Sequence, residues 1–472
     1  ITAIRFAGAK APARVAQAGR PFLGKRITRP NLGALAAALS KAYTGGAVAL
    51  YTVAIPAQRF RGGVVVVSLT EGRIARAQVR TDKPKGFPLL RRRMAPLTQG
   101  TPLARATFER QMSLMRAIPG LTVATDFADP NHDGALVLTA TPKQRRSKLS
   151  AGFTNRGVSL LGDGQFDARG EFYGIGTDGD QLTLAASSAI DLKRFRYVSA
   201  GYAAPIGASG LTASANGAFL ETKPKGYNIT GRAKQAGVAL SYPLVRRFKQ
   251  SVDLSLGLDG LNSDNAAFGN LIATERTRAL RAAGSVSDAR TRRQVTLAGS
   301  VSHGLDILGA RVTAPFADAT FTKAVGSASV AQAIGKRLAL RVSASGQYSG
   351  NRLPAAERFA IGGATIGRAF DTSILTGDRG MGALGELAWR PLKTAHFASS
   401  EVYSFVDGGE VTVLARAPYI EQKYSLASAG VGFRARYRDK GELGLEAARV
   451  IDDPYPGYAE HWRISINWRV TS

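Results

Sequence analysis

The chain has no cysteine and only four histidines and three tryptophans among its 472 residues. Without thiols, neither a disulfide framework nor a thiolate metal site can form. His132, His303, His396 and His461 lie far apart, in no metal-site or triad spacing, so neither a metal ligand nor a catalytic residue is assigned. Long apolar runs are also missing. Residues 64–67 and the alanine-rich 32–39 fall far short of the roughly eighteen residues a helical span requires. This excludes a membrane-crossing helix and leaves a soluble protein or a closed barrel, in which every backbone amide is paired within the fold. Acidic residues are scarce as well: 34 Asp and Glu stand against 63 Lys and Arg, a formal net charge of +29.

Glycine is abundant at 53 residues and aromatics are scattered at 8%, which fits many short strands and turns better than a helical enzyme. The charge is uneven. Residues 1–145 carry 23 Lys and Arg against 6 Asp and Glu, a net of +17 out of the +29. These cations are spread through amphipathic elements rather than interleaved with aromatics, so an acidic protein client or anionic lipid is the expected partner and nucleic acid is not. The densest cluster, Arg91-Arg92-Arg93, is a candidate contact for client carboxylates; its simpler reading is a solvated helix face. Residues 170–179 are glycine-rich, but no Lys-Ser/Thr follows and no strand-to-helix context surrounds them, so no phosphate loop and no cofactor are assigned. The DPNHD run at 129–133 reads as a hairpin turn with too few ligands for calcium. The first residue is Ile and no charged-then-apolar leader precedes it, so a mature chain that has lost its signal peptide is expected.

Periodicity divides the chain. Residues 2–8 read as a strand and 31–43 as a helix with Leu32, Leu35, Leu39 and Tyr43 at helical spacing; strands follow at 47–56 and 63–69. The order recurs as a strand at 74–80, a helix at 102–118 carrying Leu103, Phe108, Met112 and Met115, and strands at 121–126 and 134–141. Two β-α-β-β copies about 70 residues apart predict two small α+β domains, residues 1–72 and 73–145. From 146 to 472 the period becomes two. Val252, Leu254, Leu256 and Leu258 alternate with polar residues, as do Leu338, Leu340 and Val342, and the terminal run sets Trp462, Ile464, Ile466, Trp468 and Val470 against Arg463, Ser465, Asn467 and Arg469. Thin apolar faces opposite faces rich in Arg and Asp suit lipid outside and water inside. About 325 residues at roughly 20 per strand and turn predict an all-β transmembrane barrel of about sixteen antiparallel strands.

Two segments stand apart from this alternation. The first, ERFAIGGATIGRAFD at 357–371, is punctuated by glycine and, past Arg358, carries the lone cation Arg368 before Phe370. The second, FVDGG at 405–409, runs Phe405, Val406, Asp407, Gly408, Gly409, with one charge. Gly362, Gly363 and Gly367 permit a tight loop that packs against a wall. Period two places Glu401, Tyr403, Phe405 and Asp407 on one face, where Asp407 could offer Arg368 a planar two-point partner.

Gly367-Arg368-Ala369-Phe370 and Phe405-Val406-Asp407-Gly408-Gly409 resemble the loop tip and the Phe-x-Asp-x-Gly strand of the Omp85 and two-partner secretion superfamily; Ala369 departs from the usual Gly. The paired small units resemble polypeptide-transport-associated (POTRA) domains, carried by Pro119-Gly120 and by the VVVVSLTEG run. The SYPL run at 241–244 and the SHGLD run at 302–306 resemble strand-end and strand-opening signatures of haemolysin-activator and filamentous-haemagglutinin transporters. The resemblance implies a monomeric bacterial outer-membrane barrel with periplasmic N-terminal domains that passes an unfolded client protein to the cell surface without ATP, gated by the in-folded loop. Arg368, Asp407, Phe405, Gly367, Phe370 and Gly409 would then lock loop to barrel. An insertase or lipid-handling relative that assembles other outer-membrane components is the alternative.

Overall fold

The computed structural model describes residues 1–82, 86–100, 102–129, 134–268, 270–312, 316–390, 397–438 and 440–472. The chain forms two compact units, one built chiefly from Ile1–Arg145 and one chiefly from the residues after it.

The first unit contains β1 (Ala3–Gly8), α1 (Ala13–Gly19), α2 (Arg29–Thr44), β2 (Tyr51–Ala54) and β3 (Val64–Glu71). A second copy follows as β4 (Arg73–Val79), α3 (Pro88–Met94), α4 (Arg105–Arg116), β5 (Leu121–Ala128) and β6 (Ala135–Gln144). Both sheets place the last strand in the middle, in the orders β1-β3-β2 and β4-β6-β5, parallel on one side and antiparallel on the other. In the first copy the central position goes to the strand whose Val65, Val67 and Leu69 are buried, against Leu35, Leu39 and Tyr43 of α2. Thr28 caps α2 by accepting from the Asn31 N–H at 3.3 Å. In the second copy Leu89, Leu90, Met94, Met112 and Met115 pack on Leu138. Each copy has one helix more than periodicity predicts. At seven residues, α1 and α3 span about two turns, too short for an apolar stripe to repeat.

The second unit runs β7 (Ser147–Thr154), β8 (Gln165–Tyr173), β9 (Gln181–Ala189), β10 (Phe195–Pro205), β11 (Thr212–Thr222) and β12 (Ile229–Arg246). It continues through β13 (Gln250–Ala267), β14 (Asn270–Ala289), β15 (Arg293–Gly304), β16 (Thr322–Ile334) and β17 (Leu338–Ser349). A small hairpin, β18 (Phe359–Ile361) with β19 (Leu375–Gly377), precedes β20 (Arg379–Trp389), β21 (Phe397–Val413), β22 (Gln422–Tyr437), β23 (Gly441–Asp452) and β24 (Trp462–Thr471). Apart from that hairpin, these strands form a closed sixteen-stranded antiparallel barrel in which β24 returns to β7. The closing ladder pairs Asn467–Thr471 with Thr154–Ser150. Beyond Thr154 the Asn155 N–H donates to the Ile466 carbonyl at 3.2 Å and its carboxamide completes the rung, accepting from the Ile466 N–H at 2.7 Å and donating to the Ile464 carbonyl at 3.0 Å.

Side-chain alternation is inverted relative to a soluble core. Trp462, Ile464 and Val470 on β24, Leu340 and Val342 on β17, and Val402 and Val406 on β21 are exposed, whereas Glu401, Tyr403, Phe405 and Asp407 are buried inside. Such exposure is stable only where the outer solvent is hydrocarbon. In the turn between β8 and β9, Asp180 accepts from the N–H groups of Ile175, Gly176 and Thr177 and from the Tyr202 hydroxyl. Burial raises its pKa, but these donors outweigh burial and hold it below the usual carboxylate range.

Two local readings change. The SYPL run lies inside β12, and Ser302, His303 and Gly304 close β15 instead of opening a strand. His461 sits one residue before β24, its carbonyl accepting from Val450. His132 and most of the DPNHD run, together with His396, lie outside the described residues.

Candidate functional site

Residues 350–378 leave β17 and re-enter β20 at the same rim, opposite the rim at which β7 begins. They carry enough apolar side chains to fold inward. Ile361, Ile366, Ala369 and Phe370 are buried against Phe405 and Leu426 of the wall, and the Phe370 ring lies 5.6 Å from that of Tyr458. Two glycines permit the close approach. Gly367 adopts φ +77°, and a Cβ there would stand 2.7 Å from Leu426 Cδ1; at Gly409 a Cβ would stand 2.6 Å from the Met381 carbonyl oxygen and 3.3 Å from Ile366 Cγ2.

The structure brings Arg368 and Asp407 together, but not as the two-point pair expected from their sequence. Asp407 Oδ1 accepts from the Gly367 N–H at 2.9 Å and the Ser428 hydroxyl at 2.6 Å, and Oδ2 from the Arg368 N–H at 3.2 Å. The carboxylate therefore holds the backbone of the loop tip. The Arg368 guanidinium extends across the Phe405 ring, 4.6 Å from its centroid, to Glu446 at 3.0 Å and Glu386 at 3.5 Å. Reach explains the difference. The short Asp side chain meets the N–H groups directly, while the long Arg stem carries its charge past Phe405, whose ladder partner is Glu386.

Glu386 and Glu446 open onto a luminal network that motif reading missed. Arg341 bonds Glu386 at 2.7 Å and Glu401 at 2.9 Å, Arg434 bonds Glu401 at 2.7 Å and also Glu386, and Arg390 bonds Glu401 at 2.6 Å. Arg156 pairs with Glu446, which also accepts from the Tyr403 hydroxyl at 2.9 Å. The available signal was single carboxylates at inward positions of otherwise small or apolar strands, as in GALGELAW and LGLEAAR.

Three further acids fasten the loop. Glu357 accepts from Arg281 at 2.6 and 3.1 Å and from Lys323 at 2.8 Å. Asp371 accepts from Arg463 of β24 at 2.5 Å and from the Ser159 hydroxyl, beyond β7, at 2.8 Å. Asp378 is fully buried, with Arg416 at 2.7 and 2.8 Å and the N–H groups of Leu353 and Leu414 at 2.7 and 2.8 Å. Burial pushes the pKa of both aspartates up, yet the bonds from Arg463 and Ser159, and from Arg416 and the backbone, outweigh it and leave both below the usual range.

The arginine cluster of the first unit divides. Arg91 and Arg92 are exposed on α3, whereas Arg93 is 5% exposed and donates to the Leu114 carbonyl. At about 100° per residue, three consecutive side chains cannot share one helix face. Arg93 is therefore removed from the client-binding candidates.

A closed barrel with lipid-facing aliphatics, small N-terminal α+β domains and a loop held in the lumen define an outer-membrane transporter barrel. The family model described as haemolysin secretion/activation protein ShlB/FhaC/HecB matches residues 133–435, and the ShlB-type POTRA domain model matches residues 1–72. The chain belongs to this family of two-partner secretion transporters. It is an outer-membrane protein whose POTRA domains are periplasmic. No curated protein sequence matches the chain. Among solved structures, CdiB from Escherichia coli is 19% identical with TM-score 0.76, and CdiB from Acinetobacter baumannii 15% identical with TM-score 0.67; each alignment covers 100% of this chain and 90% of the other. BamA from Haemophilus ducreyi lacking POTRA domains 1–3 is 13% identical with TM-score 0.56, covering 100% of both chains.

Proposed function

We propose that the protein conducts an unfolded client polypeptide from periplasm to cell surface through the barrel lumen, and that withdrawal of residues 350–378 opens the path. On this reading residues 1–72 and 73–145 are separate client-handling domains, residues 146–472 are a pore working as a monomer in outer-membrane lipid, and Arg91 and Arg92 contact client carboxylates. The observation that carries the proposal is the manner of attachment. The loop meets the wall of the barrel through ion pairs, hydrogen bonds and two apolar clusters, while the barrel ladder closes without it. A plug attached in this way can leave without breaking the barrel. In planar bilayers the protein should show low or flickering conductance that rises when residues 362–371 are deleted. Steady conductance in the unmodified protein, unchanged by the deletion, would refute the gate.

A further inference from the structure

Between the loop tip and the rim where β7 begins, the lumen holds a cavity of 970 Å³ that ends at Tyr403, directly below the Arg368 guanidinium. Its lining is strongly one-signed. Lys336, Arg337, Arg341, Arg390, Arg434 and Arg436 face it, against Glu401 and Glu442. The acids do not neutralise this set. Glu401 is shared by Arg341, Arg390 and Arg434, whose side chains remain 31%, 45% and 38% exposed. Arg436 lies 3.6 Å from Glu442, with both side chains about half exposed. Among the described residues, Lys336 and Arg337 have no carboxylate within 4 Å. A partly desolvated, walled space with an excess of guanidinium donors concentrates anions more strongly than an open surface does. Guanidinium forks also select planar carboxylates.

We propose that this vestibule is a binding site for an acidic stretch of extended polypeptide, entered from the periplasmic rim and occupied before the loop moves. Depth and shape favour a peptide over a lipid headgroup. The cations line the inner wall from the turn at Lys336 and Arg337 up to Arg434 beneath the loop tip, a track an extended chain can follow. The site also adjoins the lock. Arg341 and Arg434 bind Glu386, which Arg368 reaches as well, so client carboxylates that draw these arginines away would alter the charge balance around the loop tip.

The inference rests on the lumen being the client's path, but its test uses the closed, unmodified loop. Because the chain has no cysteine, Ser399→Cys places a single thiol on the cavity lining, with Asn467→Cys as a second position if the first variant fails to fold. Relative to their rates with free cysteine, a sulfonate-bearing methanethiosulfonate should react faster than a trimethylammonium one by about tenfold or more at low salt. Decaglutamate should slow the labelling, decalysine should not, and Lys336→Gln with Arg337→Gln should weaken both the anion preference and the protection. Equal rates for the two reagents, protection by both peptides alike, or protection by inorganic phosphate but not decaglutamate would overturn the proposal. Protection by decaglutamate in a protein whose conductance ignores deletion of residues 362–371 would instead keep the site and refute the gate.

Discussion

Arg368 is 11% exposed and Glu446 7%, so their bond lies largely out of water, with the Phe405 face beneath the guanidinium. Removing Arg368 leaves Glu446 held by Arg156 and the Tyr403 hydroxyl, so the cost falls below the roughly 3 to 5 kcal/mol of a fully stranded buried charge, but the loop tip loses its only side-chain tie to that acid. Arg368→Ala should therefore misplace the loop. The partner that couples most strongly is set by the geometry. A double-substitution cycle on thermal unfolding in detergent should give Arg368 and Glu446 a coupling of about 1 to 3 kcal/mol, while Arg368 and Asp407, joined only through a backbone N–H, should be nearly additive. The reverse ranking would restore a direct Arg368–Asp407 pair. Asp407→Asn should damage the loop more than Ser428→Ala, because an amide presents one acceptor oxygen where the carboxylate presents two, and both Asp407 oxygens hold loop N–H groups.

At the scale of the element, the loop of 350–378 is secured by Glu357, Asp371 and Asp378. Burial pushes the pKa of each up, but bonds from arginine, lysine, hydroxyl and backbone donors outweigh it, and all three titrate below the ordinary range. A carboxylate whose pKa is depressed on folding stabilises the folded arrangement above its unfolded pKa and loses that contribution as pH falls through the folded value. Asp371 and Asp378 should thus hold the loop fully at neutral pH and release it only below about pH 4. Bilayer conductance should rise on acidifying the outer side through that region, and Asp378→Asn should conduct at neutral pH because it weakens the bond to Arg416. An Asp378→Asn protein whose conductance at neutral pH matches that of the unmodified protein would show that this acid does not hold the gate.

The whole molecule depends on closure. The seam between β24 and β7 pairs Asn467–Thr471, is extended by the backbone bonds Asn155 to Ile466 and Ser472 to Leu149 and by the Asn155 carboxamide, and is bridged from inside by Asp371 to Arg463 and Ser159. Deleting residues 362–371 should lower the temperature at which the folded band disappears on an unboiled gel, yet leave a folded barrel. Removing residues 462–471 should abolish that band, since it leaves two unpaired edges in lipid. Equal tolerance of both deletions would mean that closure does not hold the barrel together.

Period-two alternation made the barrel, its lipid face and the inward set Glu401, Tyr403, Phe405 and Asp407 legible in the sequence, because strand geometry alone assigns alternate residues to opposite faces. The β-α-β-β repeat was legible for the same local reason, except for α1 and α3, which are too short to show a helical period. Glycine spacing marked the loop. What side chains meet across the lumen depends on how many strands separate them, how the ladders are staggered and how far each side chain reaches, and none of these is a local property. Tertiary structure therefore decided that Asp407 binds the loop backbone, that Arg368 passes on to Glu446, that Asp371 spans the closing seam, and that cations from three hairpins line one cavity.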